Sequence, residues 1–185
     1  MNILIVGGGL QALSVARSLK KERYSVIALL HRGDISTKSK YIDELYTIDI
    51  TPTYKKEYLS SVHRVLQVHA ISVIIPLSDV TAEFLSIHKV NLEHEYHLKC
   101  AIPNYDIFQK ANDKWQLMDL CKENFIPHPR TQLLTSSNLQ EAAGAIGFPA
   151  LIKPNISVGA RGITMVCSLS DLQDKYDGIL RKTSV

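Results

Sequence analysis

Short, unbroken apolar runs punctuate the first hundred residues, and between them apolar positions recur at helical spacing. The runs are ILIV at 3–6, SVIALL at 25–30, ELYTIDI at 44–50, SVIIP at 72–76 and KCAIP at 99–103. Hydrophobicity that is continuous rather than alternating predicts strands buried on both faces. The intervening stretches LQALSVARSLKKER, TYKKEYLSSVHRVLQVHA and SDVTAEFLSIHKV set their apolar residues along one helical stripe, with Thr53 and Ser78 as capping residues. Strand and helix alternating in this way predict an α/β fold, a Rossmann-like doubly wound parallel sheet over residues 1–104.

Past Pro103 the pattern changes. NDKWQLMDLCKENF reads as one longer amphipathic helix, stopped by the two prolines of IPHPR. Strand RTQLL, helix SNLQEAAGAIG, strand PALIKP, a glycine loop, strand ITMVCS and helix SDLQDKYDGILRK follow. That order predicts a second, small α+β unit over residues 105–185, an antiparallel layer with helices on one face.

Composition narrows the function classes. The 185 residues are 45% hydrophobic and 21% charged, which supports a real core and an ordinary soluble globular protein. A net charge of +3, from 21 cations and 18 anions, does not call for nucleic acid or anionic lipid. The lysine-rich stretches STKSKY and PTYKKEY are interrupted by Asp43, Glu44 and Glu57, which argues against a nucleic-acid surface. No apolar run approaches the ~20 residues of a membrane span, and MNILIV lacks the basic start of a secretory signal. Cys100, Cys121 and Cys167 are odd in number and without metal-ligand spacing, which fits a reducing compartment. The expectation is a cytoplasmic protein. His94 and His97 flank Glu95 in EHEYHLK, but without the H-E-x-x-H spacing or a third ligand they read as a solvated helix end.

The nine glycines are uneven: Gly7, Gly8 and Gly9 share one turn, four more lie between 144 and 162, and none falls between Gly33 and Gly144. Glycine is costly in ordered elements, so clusters mark sharp turns or close approach to a ligand. VGGGLQA closes the first strand and opens the first helix, where free backbone N–H groups face an anion. Gly7, Gly9 and Ala12 match G-x-G-x-x-A, yet His31 and Arg32 stand where a ribose-binding carboxylate is expected. Three readings remain open there. One is a nicotinamide cofactor with Arg32 on a 2′-phosphate, hence an NADP-dependent oxidoreductase. Another is a bare tight turn. The third is a substrate carboxylate held by Gly8, Gly9 and Leu10.

The second cluster, IKPNISVGARGI, puts Lys153 at a strand end, with Pro154 stiffening the exit and Ser157, Gly159 and Gly162 in a polar loop. It is not a Walker A motif, because G-x-x-x-x-G-K-[ST] is absent and a strand follows. Such a loop folds over a polyphosphate through successive N–H groups, with Lys153 adding a compact charge. A flexible hairpin with a surface lysine is the alternative.

Taken in order, NDKWQLMDLCKENFIPHPRT, GFPALIKP, SVGARGITMV and SLSDLQ behind an open parallel sheet resemble the ATP-grasp superfamily. Within it they are similar to the large chain of carbamoyl-phosphate synthase and related carboxylate-amine ligases. The resemblance spans the chain and rests most on Asp113-Lys114, Pro127-x-Pro129 and Lys153-Pro154 with the loop to Gly162. It implies a pre-ATP-grasp domain followed by the first lobe of the grasp. It also implies that Lys114 and Lys153 are cations for the nucleotide, and that Ser157, Gly159, Ala160, Arg161 and Gly162 form the loop over the triphosphate. Carbamoyl-phosphate synthases carry arginine at the positions of Lys114 and Lys153, and glycine at that of Ala160. Asp79 in IIPLSD resembles the acidic residue ending the fourth strand of the leading domain, a substrate-side position; capping the next helix is its alternative role.

The resemblance further implies ATP and Mg2+ as cofactors, a small-molecule carboxylate activated as an acyl phosphate, and an amine or ammonia that displaces phosphate. The family's metal ligands lie in a second lobe with no counterpart before RKTSV, so the chain alone is expected to bind ATP weakly and not to complete ligation, as a fragment of a larger ligase. Exposed apolar surface would then favour homo-oligomers. A non-catalytic nucleotide-responsive module is the remaining alternative.

Overall fold

Strand β1 (Asn2–Val6) is the middle of a five-stranded parallel sheet because its neighbours can cover it on both faces. The computed structural model describes residues 1–52, 55–157 and 161–183, with side chains throughout except at 55 and 179–183. The chain divides into two compact units, Met1–Phe108 and Gln109–Val185. In chain order the first contains β1, α1 (Gly9–Lys21), β2 (Ser25–His31), β3 (Glu44–Ile48), α2 (Lys55–Val68), β4 (Ile71–Pro76), α3 (Asp79–Tyr96) and β5 (Lys99–Cys100). A 3-10 turn, Ile35–Lys38, leads towards β3. The strands lie in the order β3-β2-β1-β4-β5, so the winding reverses between β1 and β4.

Alternation along β1 and β2 assigns the two faces. Leu4, Val6, Ile27 and Leu29 join Tyr58, Val62 and Val65 of α2 and Phe84, Leu85 and Leu92 of α3 in one core. Ile5, Val26, Ala28 and Leu30 join Ala12 and Ala16 of α1 in the other. Helices cover both sides, which is why the strands read as unbroken apolar runs. β3 is the exception: it is a largely exposed edge strand, and only Ile48 is buried. β5 is two residues long, shorter than KCAIP predicts, although the Ala101 amide still donates to the Ile74 carbonyl at 2.8 Å.

Helix α3 starts as predicted at Ser78, whose hydroxyl accepts from the Thr81 amide while the Thr81 hydroxyl accepts from the Ser78 amide, a reciprocal capping box. The predicted cap Thr53 lies outside the described residues.

Next come α4 (Tyr105–Asn112) and α5 (Lys114–Glu123). The helix predicted over NDKWQLMDLCKENF is therefore shorter. Asp113 is extended and its carboxylate accepts from the amides of Trp115 and Gln116, so it caps α5 instead of continuing a helix. The second unit then has α6 (Leu139–Ile146), β6 (Ala150–Ile152), β7 (Thr164–Val166) and α7 (Leu169–Thr183). β6 and β7 pair antiparallel, with Leu151 opposite Met165 and Ile152 opposite Thr164. RTQLL forms no strand: the Asn138 amide donates to the Leu133 carbonyl and its oxygen accepts from the Thr135 N–H, taking backbone groups that a ladder would need. Among the described residues no helix is long and apolar enough to cross a membrane.

Candidate functional site

The second unit brings Lys114 onto the glycine loop. Lys114 is the first residue of α5, placed there by the Asp113 cap. Its backbone N–H donates to the Asn155 carbonyl at 2.9 Å. Its ammonium donates to the Ser157 hydroxyl at 3.0 Å and to the carbonyls of Asn155 at 3.3 Å and Ser157 at 3.4 Å. An ammonium has three protons, and here all three are directed at the segment that follows Lys153.

The loop is pinched at its ends. Gly162 has φ +76°, and a Cβ there would sit 2.7 Å from Pro154 Cγ, so both its conformation and the pyrrolidine ring exclude a side chain. Lys153 and Arg161 are exposed at the loop's two shoulders, and neither has an ion-pair or hydrogen-bond partner among the described residues. Gly159 and Ala160, also predicted for this loop, lie outside the described residues. Beside Lys153, the cross-strand pair Leu151 and Met165 is 54% and 58% exposed, an apolar surface next to a cationic loop.

The first unit assembles a different constellation at the carboxyl ends of β1 and β4, where the winding reverses and open α/β sheets bind ligands. Gly7, at φ +96°, lies against the capping pair: a Cβ would meet Thr81 side-chain atoms at 3.3 Å and Ser78 Oγ at 3.6 Å. Gly8 and Gly9 meet Asp34. The Gly9 N–H donates to both Asp34 oxygens, at 3.0 and 2.9 Å, and a Cβ on Gly8 would lie 2.1 Å from Asp34 Oδ2. The anion at the amino end of α1 is thus the chain's own carboxylate. The same carboxylate accepts from the Ser36 amide at 2.8 Å and from the Ser36 hydroxyl, and so caps the 3-10 turn. Burial pushes the Asp34 pKa up, but the hydrogen bonds from Ser36 and Gly9 and the charge of His31 outweigh it, and the net shift is downward.

Two sequence readings of this turn change accordingly. A dinucleotide pyrophosphate would have to occupy the place of the Asp34 carboxylate. Arg32, which the nicotinamide reading places on a 2′-phosphate, has its Nε on Asp49, at 2.7 and 3.0 Å. Leu10 is 70% exposed beside the turn. Asp79 is exposed at the first position of α3, and the capping oxygen is that of Ser78, so the alternative capping role of Asp79 is not the one it plays.

Asp34 and Asn155 were absent from the sequence-based site. Asp34 is the first acid after the second strand, close to where the dinucleotide pattern expects one, and that spacing was the available signal. Asn155 acts through its carbonyl, which any residue carries, so no side-chain pattern announces it.

No family model matches the sequence. D-aspartate ligase of Enterococcus faecium (strain Aus0004) is 23% identical over 167 residues, covering 84% of this chain and 38% of that protein. The biotin carboxylase domain of Hydrogenobacter thermophilus 2-oxoglutarate carboxylase, solved as a dimer with MgADP, ADP and bicarbonate, superposes with a TM-score of 0.75. It is 20% identical, and the match covers 96% of this chain and 40% of that one. The chain has the fold of the N-terminal part of ATP-grasp enzymes. Staphylococcus aureus N5-carboxyaminoimidazole synthetase shares this ATP-grasp arrangement, with a TM-score of 0.71 at 20% identity over 95% of this chain and 43% of its own. The chain spans about two fifths of the length of these proteins. The predicted ATP-grasp fold, a parallel sheet followed by a small α+β unit, is the fold observed.

Proposed function

We propose that this chain is the N-terminal part of an ATP-dependent ligase that activates a carboxylate as an acyl phosphate for attack by an amine or ammonia. The second unit supplies one side of the triphosphate site. The contact of the Lys114 ammonium with Asn155 and Ser157 carries this reading, because it puts a fixed positive charge on the loop that starts at Lys153. Lys114 braces the loop through carbonyl and hydroxyl oxygens, and phosphate oxygens are stronger acceptors of the same protons. Lys153 and Arg161 stand at the shoulders as exposed cations with no ion-pair partner among the described residues. The exposed Leu151–Met165 pair gives an apolar wall of the kind a nucleobase covers.

Bound ATP supplies the phosphoryl group that makes the carboxylate electrophilic. Among the described residues no group of three His, Cys, Asp or Glu side chains can hold a metal ion. The Mg2+ expected with ATP therefore finds no ligand cluster among them. The match to D-aspartate ligase favours an amino acid or another small carboxylate as substrate, with Gly8, Gly9, Leu10 and Asp79 lining the substrate-side crevice. An exogenous carboxylate there would have to displace Asp34 from the Gly9 amide.

Calorimetric titration of the chain with ATP, without and with Mg2+, and separately with NADPH, tests the assignment. Binding of ATP that weakens in Lys153→Ala is the expected result. Binding of NADPH with no response to ATP would overturn it.

A further inference from the structure

The flank of α1 carries a groove that the proposed ligase site does not use. Leu13, Ser14 and Arg17 of α1 face Ser39, Lys40 and Tyr41 across an open groove of about 320 Å³. Leu13 and Arg17 are one helical turn apart and share a face of α1. The opposite wall is fixed by the turn that Asp34 caps: the Ser39 amide donates to the Ser36 carbonyl at 3.0 Å, and the Tyr41 amide donates to Ser39 Oγ at 3.3 Å. Because Ser39 Oγ accepts from Tyr41, its own proton remains to donate into the groove. The Lys40 ammonium sits 5.5 Å from the centroid of the Tyr41 ring, which keeps it at the groove's edge.

The charges are unbalanced. Among the described residues neither Arg17 nor Lys40 forms a salt bridge, and the acid next along the wall, Asp43, is held by Lys20 at 2.7 Å and by the Val26 amide at 2.8 Å. Two cations without an ion-pair partner among the described residues, the hydroxyls of Ser14, Ser39 and Tyr41 along the same lining and the apolar surfaces of Leu13 and Tyr41 suit a phosphate group attached to a small hydrophobic body. We infer that this groove binds a phosphomonoester, with Arg17 gripping the phosphate through its planar fork, Lys40 adding a point charge, and the organic part lying on Tyr41 and Leu13. The inference does not depend on the ATP assignment, whose residues lie in the other unit.

Titration of the full chain with phenyl phosphate and with inorganic phosphate, followed by amide NMR, provides the test. Shifts at residues 13–17 and 39–41 are expected, with phenyl phosphate the tighter ligand because its ring has the Tyr41 and Leu13 surface. The double variant Arg17→Gln/Lys40→Gln should bind it about tenfold more weakly, and Lys21→Gln as tightly as the parent. Unshifted groove amides, an unaffected double variant, or an equal loss in Lys21→Gln would overturn the site. Equal affinity for the two probes would overturn its assignment to a phosphomonoester.

Discussion

The ammonium of Lys114 and the hydroxyl of Ser157 lie 3.0 Å apart across a sequence separation of 43 residues. That contact joins the amino end of α5 to the loop after β6, and the backbone bond from the Lys114 amide to the Asn155 carbonyl, at 2.9 Å, repeats the connection. A cation so held is orientated before any ligand arrives. Its alkyl stem has already lost the rotamer freedom that an unbraced surface lysine would lose on binding.

Replacing Lys114 by Met should therefore do two things at once. Without its brace the loop loosens, seen as faster hydrogen exchange at the Ser157 amide, and ATP affinity falls about tenfold. Lys153→Ala should lower ATP affinity comparably while leaving the melting temperature unchanged, because that side chain is exposed and unpaired among the described residues. The single tryptophan, Trp115, adjoins Lys114, and its fluorescence gives the titration signal. Unchanged affinity in both variants would remove them from the site.

Gly162→Ala tests the pinch of the loop. At φ +76°, with Pro154 Cγ 2.7 Å from the new methyl group, either the ring or the backbone must move. A loss of about 1–3 kcal/mol is expected in urea denaturation, together with weaker ATP binding. Gly144→Ala, at a helical site with nothing within 4 Å of the added carbon, is the control and should be neutral or stabilising.

Ser78→Ala removes the hydroxyl that caps α3. Loss of a side-chain cap costs about 1 kcal/mol in chemical denaturation. Because Gly7 packs on Ser78 and Thr81, the backbone at the first glycine turn should become more mobile in the same variant, an effect visible in amide exchange at Gly8 and Gly9.

Asp34 makes a pH-dependent prediction. Its folded pKa is lowered, so its stabilising contribution is fully present above the ordinary aspartate range and is lost as pH falls through the depressed folded value. Asp34→Asn should be less stable than the parent near neutrality, and the difference should shrink below about pH 4 as the parent's carboxylate takes up its proton. Gly8→Ala pushes a methyl group into the same carboxylate, 2.1 Å from Oδ2. The two substitutions break one interaction, so a double-mutant cycle should show them to be non-additive. Additive losses would place the Asp34 contact outside the stability of the turn.

The sheet was legible because buried parallel strands leave unbroken apolar runs, and the helices because one-sided burial leaves a stripe. That is local information. The Ser78 cap was legible for the same reason: donor and acceptor are three residues apart. Two of the failures involve competition between local partners. Asn138 takes the backbone groups of Leu133 and Thr135 before a strand can use them, and Asp113 ends one helix and starts the next.

By itself the sequence determined the strand and helix order of the parallel sheet, the two glycine turns and the cations beside the second, since each is encoded within a few residues. Tertiary structure alone decided which anion sits at the first turn and which oxygens receive the Lys114 ammonium. Asp34 is 25 residues from Gly9, and Lys114 is 41 from Asn155. Hydrogen bonds act over about 3 Å, and only the folded backbone brings such distant positions within that range.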